Sequence, residues 1–135
     1  MIECNFDGSI CPHLNLIGGG WTIEENGTQI KTGCDTMEVE GISANRAEYF
    51  ALYKLLNDLV KMKLNKKKIH IYGDSRLVIN QMTGRNQMSS GIYMEMALKT
   101  RDFYKKHYNG NIRFQWIPRG QNAEADRASR LNFPI

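Results

Sequence analysis

The stretch KIHIYGDSRLVINQM, residues 68–82, changes character half-way along. Lys67–Tyr72 alternates apolar and polar residues as a strand does and rises to Gly73, and from about 75 to 83 the apolar residues recur at helical spacing. A strand that ends on Gly-Asp-Ser and runs straight into a helix belongs to a sheet whose strands are joined by helices, so its neighbours are parallel. Toward the N-terminus, Ala44, Ala47, Ala51, Leu55, Leu59 and Met62 recur every three or four residues and predict a long helix over 44–62. Earlier still, residues 1–10, 18–25 and 28–36 read as strands, with Asn26-Gly27 as a hairpin turn between the last two. Toward the C-terminus a helix runs from about 90 to 107 and stops at Asn109-Gly110. Ile112, Phe114 and Trp116 then alternate as a fifth strand, and 121–131 closes the chain as a short helix. The order β-β-β-α-β-α-α-β-α predicts an α/β fold. Its five-stranded mixed sheet is a three-strand antiparallel meander plus two parallel strands, flanked by helices in a single domain over 1–135.

Composition sets the frame. At 135 residues with 41% hydrophobic and 24% charged content, the chain can bury a core without disulfides. Cys4, Cys11 and Cys34 are odd in number and lack C-x-x-C spacing, which argues against both a disulfide framework and zinc. No stretch has the length of a membrane helix, and MIECNFDGS lacks the layout of a signal peptide. A monomer in a reducing cytoplasm, away from membranes, is the expectation. The net charge of +4 is unevenly spread: residues 1–50 carry eight acids against Lys31 and Arg46, while 51–135 carry sixteen Lys and Arg against six acids. Basic runs at 61–68 and around Arg101, Lys105 and Lys106 suit a phosphate-rich partner, that is, nucleic acid.

Four acids carry the chemistry. Asp7 in ECNFDGS and Asp74 in IHIYGDS each follow an apolar strand run, and both are expected at strand C-termini, the edge where open α/β sheets bind ligands. If the first and fourth strands are parallel neighbours, the two aspartates stand side by side. Glu48 shares a helix face with Ala44, Ala51 and Leu55 and points toward the sheet. Asp126 follows the loop from the fifth strand, near the same edge; Glu124, two positions away, faces elsewhere and serves the helix N-terminus. At ~4 Å and an effective dielectric of about 20, each like-charged pair costs roughly 4 kcal/mol. A cluster of this kind needs divalent cations, and an all-oxygen donor set favours Mg²⁺ or Mn²⁺ over zinc.

With these segments in view, the chain resembles the ribonuclease H family, type 1, in the small bacterial and archaeal-like form without a basic protrusion or a hybrid-binding domain. The resemblance rests on FDGS (6–9), NRAE (45–48), GDS (73–75) and NAEADRA (122–128), in that order, with WIPRGQNAEAD (116–126) as the most characteristic stretch. It implies a ribonuclease H-like fold and an endonuclease that hydrolyses the RNA strand of RNA–DNA hybrids with two Mg²⁺ ions (Mn²⁺ substituting), leaving 5′-phosphate and 3′-hydroxyl ends. It implies that Asp7 bridges both ions, that Asp126 helps bind the ion activating water, and that Glu48 and Asp74 help bind the other. Gly8, Asn45 and Ser75 match positions that contact RNA 2′-hydroxyls, and Ser43 matches a hydroxyl that contacts a DNA-strand phosphate.

The chain also departs from the pattern. The loop before Asp126, PRGQNAEA, has no histidine where many members carry one, and Arg119 is the candidate to replace it in handling substrate. Ala44 stands where an asparagine often contacts substrate, and Arg76 where a glutamine often follows GDS. These departures leave two alternatives in view: a broader ribonuclease that also cuts double-stranded RNA, and a non-catalytic nucleic-acid-binding module. A proofreading-type exonuclease would need Asp-x-Glu on the first strand, which Asp7-Gly8-Ser9 lacks. Gly18-Gly19-Gly20 is not followed by Gly-Lys-Ser/Thr and reads as a bulge or close packing rather than a phosphate loop. His70 reads as a core or edge histidine, Trp21 and Trp116 as core, and Met82, Met88, Met94 and Met96 as core filling.

Overall fold

A computed structural model describes residues 1–88 and 90–134. Among these residues five strands and four α-helices follow in the expected order: β1 (Ile2–Cys11), β2 (Leu16–Glu25), β3 (Thr28–Glu38), α1 (Ala44–Lys61), β4 (Ile69–Gly73), α2 (Arg76–Met82), α3 (Met94–His107), β5 (Ile112–Trp116) and α4 (Ala123–Arg130). They form one sheet in the order β3-β2-β1-β4-β5. β1, β2 and β3 make an antiparallel meander, and β4 runs parallel to both β1 and β5. Asn26 and Gly27 both take positive φ in the turn between β2 and β3, the conformation that an Asn-Gly hairpin supplies.

One face of the sheet, with Ile2, Cys4, Phe6, Ile23 and Ile71, packs on Leu52, Leu55, Leu56 and Leu59 of α1, all fully buried. The glycine run in β2 is close packing on both faces, with no break in the strand. A Cβ on Gly19 would press on Ala51 of α1. One on Gly18 or Gly20 would overlap the backbone of α4 at Ser129. The glycines therefore let two helices sit unusually near the sheet, and α4 is further fixed by a hydrogen bond between the Ser9 and Ser129 hydroxyls.

Asp58 ties the meander to α1. Its buried carboxylate accepts a hydrogen bond from Trp21 Nε1 at 2.7 Å and pairs with Lys31 Nζ at 2.8 Å. Asp58→Ala leaves the indole N–H buried without a partner and is expected to cost roughly 2–3 kcal/mol. A urea midpoint equal to that of the parent would contradict this.

Three expectations are corrected. Asp7 does not end a strand: β1 runs on to Cys11 in its antiparallel pairing with β2, as the strand expected over 1–10 requires, while its parallel pairing with β4 ends at Phe6 opposite Gly73. Asp7 thus lies inside a strand, at the point where its neighbour β4 ends. α3 starts at Met94 rather than near 90, with Gly91 in the approach. The lysine run 61–68 joins the end of α1 to the start of β4 at Ile69, while Asp74 follows the other end of β4, roughly 17 Å away at strand rise. The run thus lies about one strand length from the acids, and its Lys67 pairs with Glu25. Of the methionines only Met96 is fully in the core. Met82, Met88 and Met94 pack on it from outside and line a groove of about 610 Å³ with Arg101 and Lys105.

Candidate metal centre

The sheet register brings the first two acids together. Phe6 pairs with Gly73 across the parallel β1/β4 ladder, so Asp7 and Asp74 follow side by side where that ladder ends. α1 supplies the third. Gly8 lies against the first turns of α1 so closely that a Cβ there would overlap the backbone of Ala47 and Glu48, and this contact delivers Glu48 to the strand. Carboxylate oxygens of Asp7, Glu48 and Asp74 lie within 4.8 Å of one another, an arrangement able to hold a metal ion.

The electrostatics of this trio are unfavourable on their own. Asp7 is 3% exposed and Glu48 8%. Burial above all lifts the Asp7 carboxyl from 3.8 to about 6; a hydrogen bond from Glu48 partly offsets the rise, while the charge of Asp74 and then a hydrogen-bonding approach and the charge of Asp126 add to it. Glu48 is raised well above the ordinary glutamate range, chiefly by burial and then by Asp7 and Asp74. Gly8 N–H donates to Asp7 Oδ1 at 2.9 Å, but Glu48 Oε2 is buried with no hydrogen-bond partner. The sign of the pH effect follows from these shifts. Between about pH 4 and 6 an unfolded chain ionises Asp7 while the fold holds it protonated, so the site's contribution to stability falls as pH rises through that window. In EDTA, the stability difference between the parent and Asp7→Asn is therefore expected to grow from pH 4 to 6 in favour of the variant. A constant difference in urea midpoint would contradict it.

Asp126 is drawn to the same cleft but not into the trio. It sits in the first turn of α4, and its Oδ1 is held by Arg130 one turn later, at 3.2 Å from Nη2. Asp7, Gly8, Ala44, Glu48, Arg119, Asp126 and Arg130 line a common cleft of about 220 Å³, so the fourth acid faces the others across it. Glu124 instead lines a separate recess with Asn5, Thr22 and Gln121. Of the remaining candidates, Ser43 caps α1 by accepting from Arg46 N–H at 3.3 Å, and Ser75 caps α2 by accepting from Val78 N–H at 3.3 Å. Asn45 is half-buried in the first turn of α1, and Arg119 is exposed at the cleft.

Two residues beside Asp74 were not singled out by the sequence reading as parts of the site. Asn122, 2% exposed and immediately before α4, donates from Nδ2 to Asp74 Oδ2 and to the Phe6 carbonyl, both at 2.9 Å. Only its position four residues before Asp126 pointed to it. Trp116 is half-buried at the end of β5 rather than in the core. Its Nε1 donates to the Asp74 carbonyl at 3.1 Å, and the Arg76 guanidinium stacks 3.8 Å from its ring centre. His70 is neither core nor edge: it stands half-buried on the inner strand β4, bonded to Gln115 and Tyr72.

This geometry has close counterparts. The family model described as reverse transcriptase-like matches residues 5–131, nearly the whole fold. The chain belongs to this ribonuclease H-like family. Within it, the chain is similar to RNase H1 from the halophilic archaeon Halobacterium salinarum, with 24% identity and a TM-score of 0.81 over 96% of this chain and 94% of that one. It is also similar to LC11-RNase H1, solved in complex with an RNA/DNA hybrid, with 26% identity and a TM-score of 0.83 over 95% and 93% of the two chains. A bifunctional protein of Mycobacterium tuberculosis is 30% identical over 83 residues, which make up 62% of this chain and 22% of that protein. The chain thus spans about a fifth of the length of the curated relatives it matches. The fold and these neighbours make it a small RNase H1-like domain.

The donors fit a hard divalent cation. The trio offers carboxylate oxygens only, and the buried Glu48 Oε2 lacks any other partner. Among the described residues no cysteine or histidine joins the group.

Proposed function

We propose that this chain is an endonuclease that hydrolyses the RNA strand of RNA–DNA hybrids, with two divalent cations held by Asp7, Glu48, Asp74 and Asp126. The observation that carries the reading is the carboxylate trio, two of its members buried and one oxygen orphaned, a costly arrangement that a bound cation relieves. Family membership and the likeness to a ribonuclease H1 crystallised with a hybrid support the substrate. When bound, the two cations lower the pKa of the attacking water and stabilise the leaving 3′ oxygen, giving 5′-phosphate and 3′-hydroxyl ends. Mg²⁺ is the resident metal, with Mn²⁺ as substitute.

The chain's own residues do the positioning. Asp7 and Asp74 are fixed by the strand ladder, Glu48 by the Gly8 contact, and Asp126 approaches from α4. Gly8, Asn45 and Ser75 stand along the edge where an RNA strand's 2′-hydroxyls would be read, and Ser43 and Arg119 flank it to receive phosphates. Free Cys4, Cys11 and Cys34 fit a monomeric enzyme of the reducing cytoplasm.

A specific observation favours a broader substrate range as the second reading. Ala44, at the cleft, offers no hydrogen bond, and Arg76 is engaged on Trp116 rather than free to read a base. The test incubates end-labelled hybrid, duplex RNA and duplex DNA with the protein and Mg²⁺, Mn²⁺ or EDTA. Metal-dependent cleavage confined to the RNA of the hybrid is the expected result. Equal cutting of duplex RNA selects the broader enzyme, and no RNA cleavage with either metal removes both readings.

A further inference from the structure

Asn122 connects three of the four acids at once. Its side chain binds Asp74, its backbone carbonyl accepts the Asp126 N–H at 3.0 Å, and its second side-chain bond falls on the Phe6 carbonyl, one peptide before Asp7. The amide can face only one way. The Phe6 carbonyl and the Asp74 carboxylate are both acceptors, so Nδ2 must point at them, and Oδ1 then takes a hydrogen bond from Asn5 Nδ2 at 3.0 Å. Both N–H groups are spent, and the residue is sealed from water.

Asp74 needs such a partner. It is the least buried of the trio, and its carboxylate stands beside those of Asp7 and Glu48. A neutral donor holds it in place without cancelling the charge that a cation requires. Arg130, by contrast, gives Asp126 a full positive charge that a cation has to displace. We propose that Asn122 is a positioning residue for the metal centre: it pins one oxygen of Asp74, leaves the other for a cation, and so sets metal affinity. The inference rests on the metal-dependent reading above.

The test is calorimetric titration with Mn²⁺, without substrate, of the parent, Asn122→Ala, Asp74→Ala and the double variant, with melting in EDTA to confirm folding. Asn122→Ala is expected to weaken binding roughly 10–100-fold, and the double variant to bind no more weakly than Asp74→Ala alone. Unchanged affinity in Asn122→Ala, or losses that multiply in the double variant as a merely structural role would give, overturns the proposal. Should Asn122→Ala fail to fold, Asn5→Ala carries the test. It removes the donor to Asn122 Oδ1, loosens the amide against Asp74, and is expected to weaken Mn²⁺ binding roughly threefold, the scale of one lost hydrogen bond; no change would overturn the proposal. A parent that binds no Mn²⁺ defeats the metal reading itself and this inference with it, whereas a parent that binds and a variant that binds equally defeats this inference alone.

Discussion

Asp7→Asn is expected to abolish cleavage and, in the same protein, to raise the melting temperature measured in EDTA. The two effects share one cause. Asp7 stands where the β1/β4 ladder ends, facing both Glu48 and Asp74, so no cation held by the cluster can avoid it. Removing its charge should lower turnover on the order of 10³-fold or more. Without metal the same charge is a liability. The carboxyl sits at about 6 instead of 3.8 because the fold disfavours its ionised form. At pH 7.5 that amounts to destabilisation on the order of 2 kcal/mol, or roughly 7 °C in a domain of this size. Asparagine is nearly isosteric, and its oxygen can still accept the Gly8 N–H. A variant that melts well below the parent in EDTA would contradict the clustering of the acids, whatever its activity.

Gly8→Ala is expected to damage stability and metal binding together. The new methyl would fall on the peptide joining Ala47 to Glu48, and backbone cannot step aside as a side chain can. Either β1 or the start of α1 must move, at roughly 3 kcal/mol, and the atom displaced is the main-chain nitrogen of a metal-ligand candidate. Urea unfolding reads the first effect and Mn²⁺ affinity the second. Parent-like values in both would show that β1 and α1 are not in the contact that delivers Glu48.

Much of this arrangement was legible in local sequence. The Asn26-Gly27 turn, the phase of 44–62 and the helix after Gly73-Asp74-Ser75 each have a short-range cause, and together they imply parallel neighbours that put Asp7 beside Asp74. Helix phase likewise turned Glu48 inward, and α4 turns Glu124 toward a different recess from Asp126. What escaped depends on contacts between distant segments. Asp126 has Arg130 at i+4 and the acid trio across the cleft, and which of them holds it is decided by how α4 docks on the glycines of β2. Asn122 looks like an ordinary residue before a helix; only the meeting of β1, β4 and α4 buries it against Asp74. That β4 ends beside Asp7 while β1 runs on was hidden, because alternation along a strand does not reveal where its neighbour ends. The lysine run 61–68 had a charge visible in the sequence but an address set by topology, at the far end of β4.

The central claim is that the acid cluster is a divalent-metal centre, and anomalous diffraction from crystals equilibrated with Mn²⁺ tests it most directly. The account predicts manganese peaks among the carboxylate oxygens of Asp7, Glu48 and Asp74, with Asp126 turned from Arg130 toward them. Well-ordered carboxylates with no manganese between them, at concentrations that saturate known Mn²⁺ enzymes, would contradict it.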